Sequence, residues 1–348
     1  MKIRQRYILT IISFFLLFGC TKDEVEGPLI NDIYGDFYIN QPFLVINKTP
    51  DFSIDELVKF QCEFNKNINW KISITGMATG SHKIISGFSN SLDSNVSIWN
   101  GNTSQYPFFK KEYCSIELTF LDEPDTLRDT IEIMGSKLYN DGFIIADFEN
   151  GLPLESILYI NPNNFVNDTF VVASDLPLLG NNYFKARGRV NWEWNIGKLD
   201  FKLDYNSTIS AENLYINIGV LSDTVNLHTG QFINILISES DLPYNDDLSN
   251  NGADIFETSM EVYKMKIPVD WNGWQILSFR YSDFEELLPN ALGVTFNKNP
   301  NNISGMRIAF QSCPSSGPDE NCPENFDKPI RIDLDHVVLT ENKSLLNQ

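Results

Sequence analysis

Apolar side chains in this chain recur at every second position, in short runs separated by turn-forming stretches. Val58, Phe60, Cys62 and Phe64 fall on one face of such a run, and Trp70, Ile72 and Ile74 on one face of the next. Cys114, Ile116, Leu118 and Phe120 repeat the pattern, as do Ile131 and Ile133. A period of two belongs to an extended strand with one buried face, so these runs predict β-strands. Stretches such as Gly76–Gly80 and Asn100-Gly101-Asn102 punctuate them. Helical spacing is nearly absent, with a single short turn expected at Ser282–Leu288. Asn supplies 38 of the 348 residues, which suits a loop-rich β protein, because Asn accepts positive φ and closes Asx-turns. The alternation predicts an antiparallel all-β chain. Its length leaves room for two units, since single cores stop growing at about 250–300 residues.

The first 34 residues stand outside this pattern. Lys2, Arg4 and Arg6 precede an apolar run, Tyr7 to Phe18, which is shorter than the roughly 20 residues a helix needs to cross a bilayer. The run ends in Leu17-Phe18-Gly19-Cys20. This ending resembles the lipobox of bacterial lipoproteins, in which the Cys is lipidated once the leader is cut away. The resemblance implies a signal peptide at 1–19, lipidation at Cys20 and a tether over 20–34. Lys22-Asp23-Glu24 with Glu26 resembles the acidic export signal of surface-exposed Bacteroidota lipoproteins, which implies an outer-membrane location facing the cell exterior. That compartment permits disulfides. With Cys20 taken by lipid, Cys62, Cys114, Cys313 and Cys322 remain as two potential pairs. Cys313 and Cys322 bracket a Pro/Ser/Gly-rich segment and read as a stapled loop.

Residues 35–137 hold about seven short runs, the size of an immunoglobulin-like sandwich. The order Cys62, Trp70, Cys114 resembles the immunoglobulin arrangement of an inter-sheet disulfide against a Trp on the third strand. The resemblance implies a Cys62–Cys114 bond; without it the two are inward-facing thiols. Residues 138–348 carry longer runs, including Tyr183–Val190, Leu214–Leu221, Phe232–Ser238, Met306–Gln311 and Ile330–Leu339, and fit an antiparallel jelly roll. Ala146-Asp147-Phe148-Glu149, Gly273-Trp274-Gln275 leading to Ser282-Asp283-Phe284, and the closing Asp333–Leu339 resemble galactose-binding-like jelly rolls, the fold of many non-catalytic carbohydrate-binding modules. That resemblance implies a polysaccharide ligand and a packing role for Trp274. It also implies a structural Ca²⁺ held by Glu149 and Asp335, with Asp147 as a third ligand. Calcium needs six to eight oxygens, so carbonyls or water would supply the rest. Read without the resemblance, the three are carboxylates at strand ends.

Sugar recognition asks for flat apolar faces and planar polar side chains that satisfy several hydroxyls at once. Alternation sorts such residues by face. Leu214, Ile216, Ile218 and Val220 form a core set, which turns Tyr215 and Asn217 the other way. Met306, Ile308 and Phe310 leave Arg307 and Gln311 opposite, and Phe184, Ala186 and Gly188 leave Tyr183 and Arg187. Tyr183, Arg187, Tyr215, Asn217, Arg307 and Gln311 are therefore expected to line a glycan face, and the same residue types would suit any solvated sheet. Trp192 and Trp194 share one strand face; they are core if the register of Val190 continues, and sit at a cleft rim if it breaks after Arg189.

The charge and the missing motifs narrow the function. A net charge of -20 opposes nucleic-acid binding, because every phosphate contact would begin from repulsion. Only three His are present, and there is no His-Glu-x-x-His, Gly-x-Ser-x-Gly, phosphate loop or Cys-x-x-Cys. The expectation is a non-enzymatic, lipid-anchored surface protein that binds a polysaccharide, with glycan-uptake proteins as partners and the first unit as a spacer. An adhesion or protein-interaction subunit is the rival reading, ahead of a polysaccharide hydrolase or lyase.

Overall fold

The computed structural model describes residues 35–161, 169–189, 195–223, 230–239, 261–287, 297–312 and 329–347. Its regular structure is antiparallel β with a few 3-10 turns, in keeping with the all-β expectation. Among the described residues no helix is long and apolar enough to cross a membrane.

The N-terminal unit contains β1 (Ile39–Ile46), β2 (Val58–Gly76), β3 (His82–Leu92), β4 (Ile98–Trp99), β5 (Tyr113–Phe120) and β6 (Glu123–Glu132). All six belong to one sheet organised around β2, which is 19 residues long. The start of β2 pairs with β1 and β4, its end with β5, and β3 runs along both parts. The register with β3 shifts between Glu63 and Ile68. At this irregularity Lys66 is buried, with its ammonium 2.9 Å from Glu123. Trp99, just before the Asn100-Gly101-Asn102 turn, is packed between Phe52 and Phe109, each 4.8 Å away between ring centroids.

This topology removes the expected Cys62–Cys114 disulfide. The immunoglobulin arrangement needs Cys62 and Trp70 on separate strands, and here one continuous strand carries both. Cys114 pairs with Gly76, at the far end of β2 from Cys62. Both cysteines are buried free thiols, and the Cys62 thiol donates to the Gln41 carbonyl at 3.3 Å. Burial pushes Cys62 up to about 11 and Cys114 up to about 12, which keeps both as unreactive thiols. Alkylation in denaturant without reductant, followed by peptide mapping, should therefore label both. A linked 62–114 peptide would contradict this structure.

The C-terminal unit is a two-sheet sandwich. Its strands are β7 (Phe143–Ala146), β8 (Ser156–Ile160), β9 (Thr169–Ala173), β10 (Tyr183–Arg189), β11 (Asn195–Lys202), β12 (Leu214–Ser222) and β13 (Gln231–Ser238). They continue with β14 (Val262–Pro268), β15 (Gly273–Arg280), β16 (Glu285–Glu286), β17 (Gly305–Ser312), β18 (Pro329–Arg331) and β19 (Asp333–Glu341). One sheet runs β15-β12-β19-β10-β18, with β7 on β19 and β9 on β10; the other runs β16-β14-β13-β17-β11-β8. The alternating apolar sets of β12, β13 and β17 meet in a single buried cluster between them. Each fully buried aliphatic side chain in it contributes about 1.5–3 kcal/mol.

A smaller apolar cluster joins the two units. Phe108 and Tyr139 pack at 4.3 Å between ring centroids, and with them cluster Leu178, Tyr183, Leu221, Trp274, Val338 and Leu345. The Tyr139 carbonyl lies 2.6 Å from the His336 imidazole, and its hydroxyl accepts from the Thr103 amide at 3.3 Å. This cluster covers the outer face of the sheet that contains β12.

Candidate functional site

The expected glycan face divides between opposite sides of the sandwich. Tyr183, Arg187, Tyr215 and Asn217 lie on the outer face of the β12 sheet, and Arg307 and Gln311 on the outer face of the β13 sheet. Alternation identified outward positions correctly, but it carries no information about which sheet each strand joins. Trp192, Trp194, Cys20, Cys313 and Cys322 lie outside the described residues.

On the β12 sheet most of the expected contacts are committed within the protein. Tyr183 is fully buried against Trp274 and donates to Asp175 at 2.8 Å. Asn217 is also fully buried: its amide donates to Thr340 at 2.9 Å and to the Val338 carbonyl at 3.2 Å, while its oxygen accepts from Ser278 and the Leu345 amide. Arg187 and Arg331 share buried Asp333, at 2.8 and 2.9 Å. Tyr215 remains half-buried beside Arg280, which donates to its hydroxyl at 3.3 Å. The assignment of Tyr183 and Asn217 to ligand contact is thus corrected: both are enclosed and hydrogen-bonded. Trp274 packs as expected, 5 % exposed, and donates to the Leu176 carbonyl at 2.9 Å.

The outer face of the β13 sheet has a different character. Register places Tyr159, Lys198, Ala309, Asn234 and Lys266 in one row across five strands, and Asp200, Arg307, Leu236 and Lys264 in the next. Arg307 and Asp200 form a bidentate pair, both bonds at 2.7 Å, and both residues are buried. Arg307 is therefore a fixed floor element rather than the expected ligand contact. Beside it Asn234 donates to Gln311, and both amides are only partly buried. Lys198 sits 5.9 Å from the Tyr159 ring, and Lys266 sits 4.0 Å from the Phe232 ring. Two linked amides beside the partly exposed Tyr159 ring supply a planar polar surface with one apolar margin, since the Phe232 ring is only 4 % exposed. Asn234 and Tyr159 escaped the sequence reading. The alternation of β13 would have located Asn234; Tyr159 lies in a run that was not assigned as a strand.

The three expected calcium ligands gather at the junction, around a cleft of about 680 Å³ that Lys137, Tyr139 and His336 also line. Each carboxylate already faces N–H donors. Asp335 accepts from the Leu178 and Leu179 amides at 2.8 and 3.1 Å. Glu149 accepts from the Asn181 and Asn182 amides at 2.8 and 2.9 Å, and Asp147 from the Glu149 amide at 3.1 Å. Burial, with the Glu149 charge adding to it, pushes Asp335 up to about 7 despite those amides. Surroundings rich in N–H groups favour a lone carboxylate over a cation, and no set of three metal-binding side chains converges among the described residues. The donors present do not fit the expected Ca²⁺. They lock the 178–182 segment to the first and last strands of the sandwich.

Another buried carboxylate lies at the end of β13. Glu239 is 4 % exposed; one of its oxygens accepts from the Tyr281 hydroxyl and the Asn299 amide, both at 2.6 Å. The other oxygen has no partner among the described residues. The next two amides back along the segment are held in the same way, Lys298 by the Tyr263 hydroxyl at 3.0 Å and Asn297 by Glu261 at 3.3 Å. Burial pushes Glu239 up to about 7, with the Glu261 charge adding to the shift and Lys298 opposing it.

The sequence matches no family model and no curated protein. Among solved structures it is similar to a β-sandwich carbohydrate-binding module, at 11% identity over 88% of this chain and 99% of that one, with a TM-score of 0.38. It is also similar to a family 11 carbohydrate-binding module from Clostridium thermocellum in complex with a β-1,3-1,4-mixed-linked tetrasaccharide, at 14% identity over 58% and 96% of the chains, TM-score 0.37. A surface glycan-binding protein from Prevotella bryantii gives 14% identity over 86% and 77%, again with a TM-score of 0.37. Likeness at this level says nothing about what this chain binds.

Proposed function

We propose that this chain is a non-enzymatic surface protein, anchored through lipid on Cys20, that binds a neutral glycan on the outer face of the β13 sheet. The observation that carries the reading is the face on which Tyr159, Lys198 and Asn234 share one row and Gln311 stands in the next, so that two linked amides lie beside a partly exposed ring. A pyranose offers hydroxyls at its edge and C–H groups on its faces, and this face presents a partner for each. The net charge of -20 favours a neutral polysaccharide over a polyuronate. The N-terminal unit spaces this face from the membrane, and glycan-uptake proteins are the expected neighbours.

Calorimetric titration of the full chain with neutral β-glucan, xylan and mannan oligosaccharides tests the proposal. Asn234→Ala with Gln311→Ala should weaken binding of the preferred glycan about tenfold or more, the equivalent of one or two lost hydrogen bonds. Absence of heat with every glycan, or undiminished binding by the double variant, would overturn it.

A further inference from the structure

The junction between the two units holds chemistry that the β13-sheet face does not use. The cleft of about 680 Å³ has one wall from the 108–111 and 136–140 segments and another from Ile144, Asp147, Glu149 and the 177–180 segment. Its volume falls within the range of about 300–1,000 Å³ typical of small-ligand sites, and a seam between two folded units is a usual place for one. The first wall carries Lys110, Lys111 and Lys137, opposite Asp147 and Glu149 on the second. Among the described residues no ion pair joins these lysines to a carboxylate. Lys110 and Lys111 are exposed, and the Lys137 ammonium lies 5.9 Å from the Tyr139 ring.

Both walls are fixed from behind. The Lys110 amide donates to the buried Glu112 carboxylate at 3.1 Å. Glu149 is held by the Asn181 and Asn182 amides, and Gly180, at φ +59, lets that segment lie against it, since a Cβ there would collide with the carboxylate. Acceptor capacity is left over. Asp147 takes one hydrogen bond, from the Glu149 amide, of the roughly four that a carboxylate can accept. Leu138, 53 % exposed, and Ile144, 38 % exposed, add apolar surface to the same cleft.

A ligand that meets all of these groups needs an anion for the ammoniums, hydroxyls for Asp147 and a C–H face for Leu138 and Ile144. A hexuronic acid carries all three on one ring. An extended peptide would need a row of main-chain partners, but the Leu178, Leu179, Asn181 and Asn182 amides are already engaged with Asp335 and Glu149. The overall charge of -20 resists a polyanion, whereas a single carboxylate at a lysine-lined wall is attracted at short range. We infer that the junction cleft binds a single hexuronic acid residue, carried as an end or a branch of an otherwise neutral glycan. The site is separate from the β13-sheet face; only the neutral remainder of the glycan rests on the reading proposed for that face.

The test titrates the full chain with a xylo-oligosaccharide bearing one glucuronic acid, and with the same compound after its carboxyl is reduced to an alcohol. The acid form should bind about tenfold or more tightly than the reduced form, the effect of one hydrogen bond to a charged group. Lys110→Ala with Lys111→Ala, and separately Lys137→Met, should each narrow that difference. The first of these should leave thermal unfolding unchanged, since both side chains are exposed. Asn234→Ala with Gln311→Ala should leave the preference for the acid intact. Equal binding of the two forms, binding of neither, or a preference that survives in both lysine variants overturns the inference. If the preference is instead lost in the Asn234 and Gln311 variant alone, the acid is read on the β13-sheet face, so the cleft inference fails while the proposed function stands. An acidic dipeptide that competes on equal terms with the sugar, and is lost in the same lysine variants, would make the cleft a general carboxylate site and overturn the sugar assignment.

Discussion

Glu239→Gln is expected to make the protein more stable than the parent at pH 8 and nearly equal to it at pH 4.5. The folded protein holds the Glu239 proton up to about pH 7, whereas an unfolded chain releases it near 4.5. A carboxyl raised in this way contributes full stability below its unfolded value. That contribution is lost as pH rises through the folded value. Between pH 4.5 and 8 the loss is on the order of 3 kcal/mol, because ionisation would place a charge in a buried site. Glutamine keeps an acceptor for Tyr281 and Asn299 and cannot ionise, so the variant should show a flatter stability profile. Asp335, also raised to about 7, keeps its share of the slope in both proteins. Urea unfolding at both pH values is the measurement, and identical slopes would remove Glu239 from the account.

The second large effect concerns Arg307 and Asp200. Their pairing is buried and bidentate, so Arg307→Met alone leaves Asp200 as a carboxylate without its guanidinium in a dry site. Removing one partner of such a pair typically costs about 3–5 kcal/mol. Replacing both, Asp200→Leu with Arg307→Met, should recover most of that loss, since apolar substitutes of similar volume are often neutral or better. Urea unfolding of the two single variants and the double variant forms a cycle. Simple additivity of the single losses would show that the pair contributes no coupling.

Much of the fold was legible because alternation is a local signal. The core sets of β12, β13 and β17 emerge from every second residue, and the structure buries each of them. The misreadings occur where non-local information decides. Asn65-Lys66-Asn67 looks like a polar break between two strands, yet the chain passes through it as a single strand, and the paired-cysteine reading fails with it. Arg307 and Asn217 both face outward in the pattern, but β17 and β12 belong to different sheets, so the two residues never share a surface. Glu149 and Asp335 line one cleft, but the chain folds the 178–182 amides onto them. Amide groups carry no side-chain signature, so the sequence offered no warning of that competition.

The apolar seam between the units also bears on how the chain can be divided. Trp274, Leu221 and Val338 belong to the sandwich by connectivity, but they are kept from water together with Phe108 and Tyr139. A fragment that begins after the seam would present that patch to solvent and would tend to associate with its own copies. Inserting residues beside Tyr139 would likewise shift it out of register with His336. The position of Tyr139 in the chain is therefore coupled to the stability of the C-terminal sandwich, whose outer face it helps to cover.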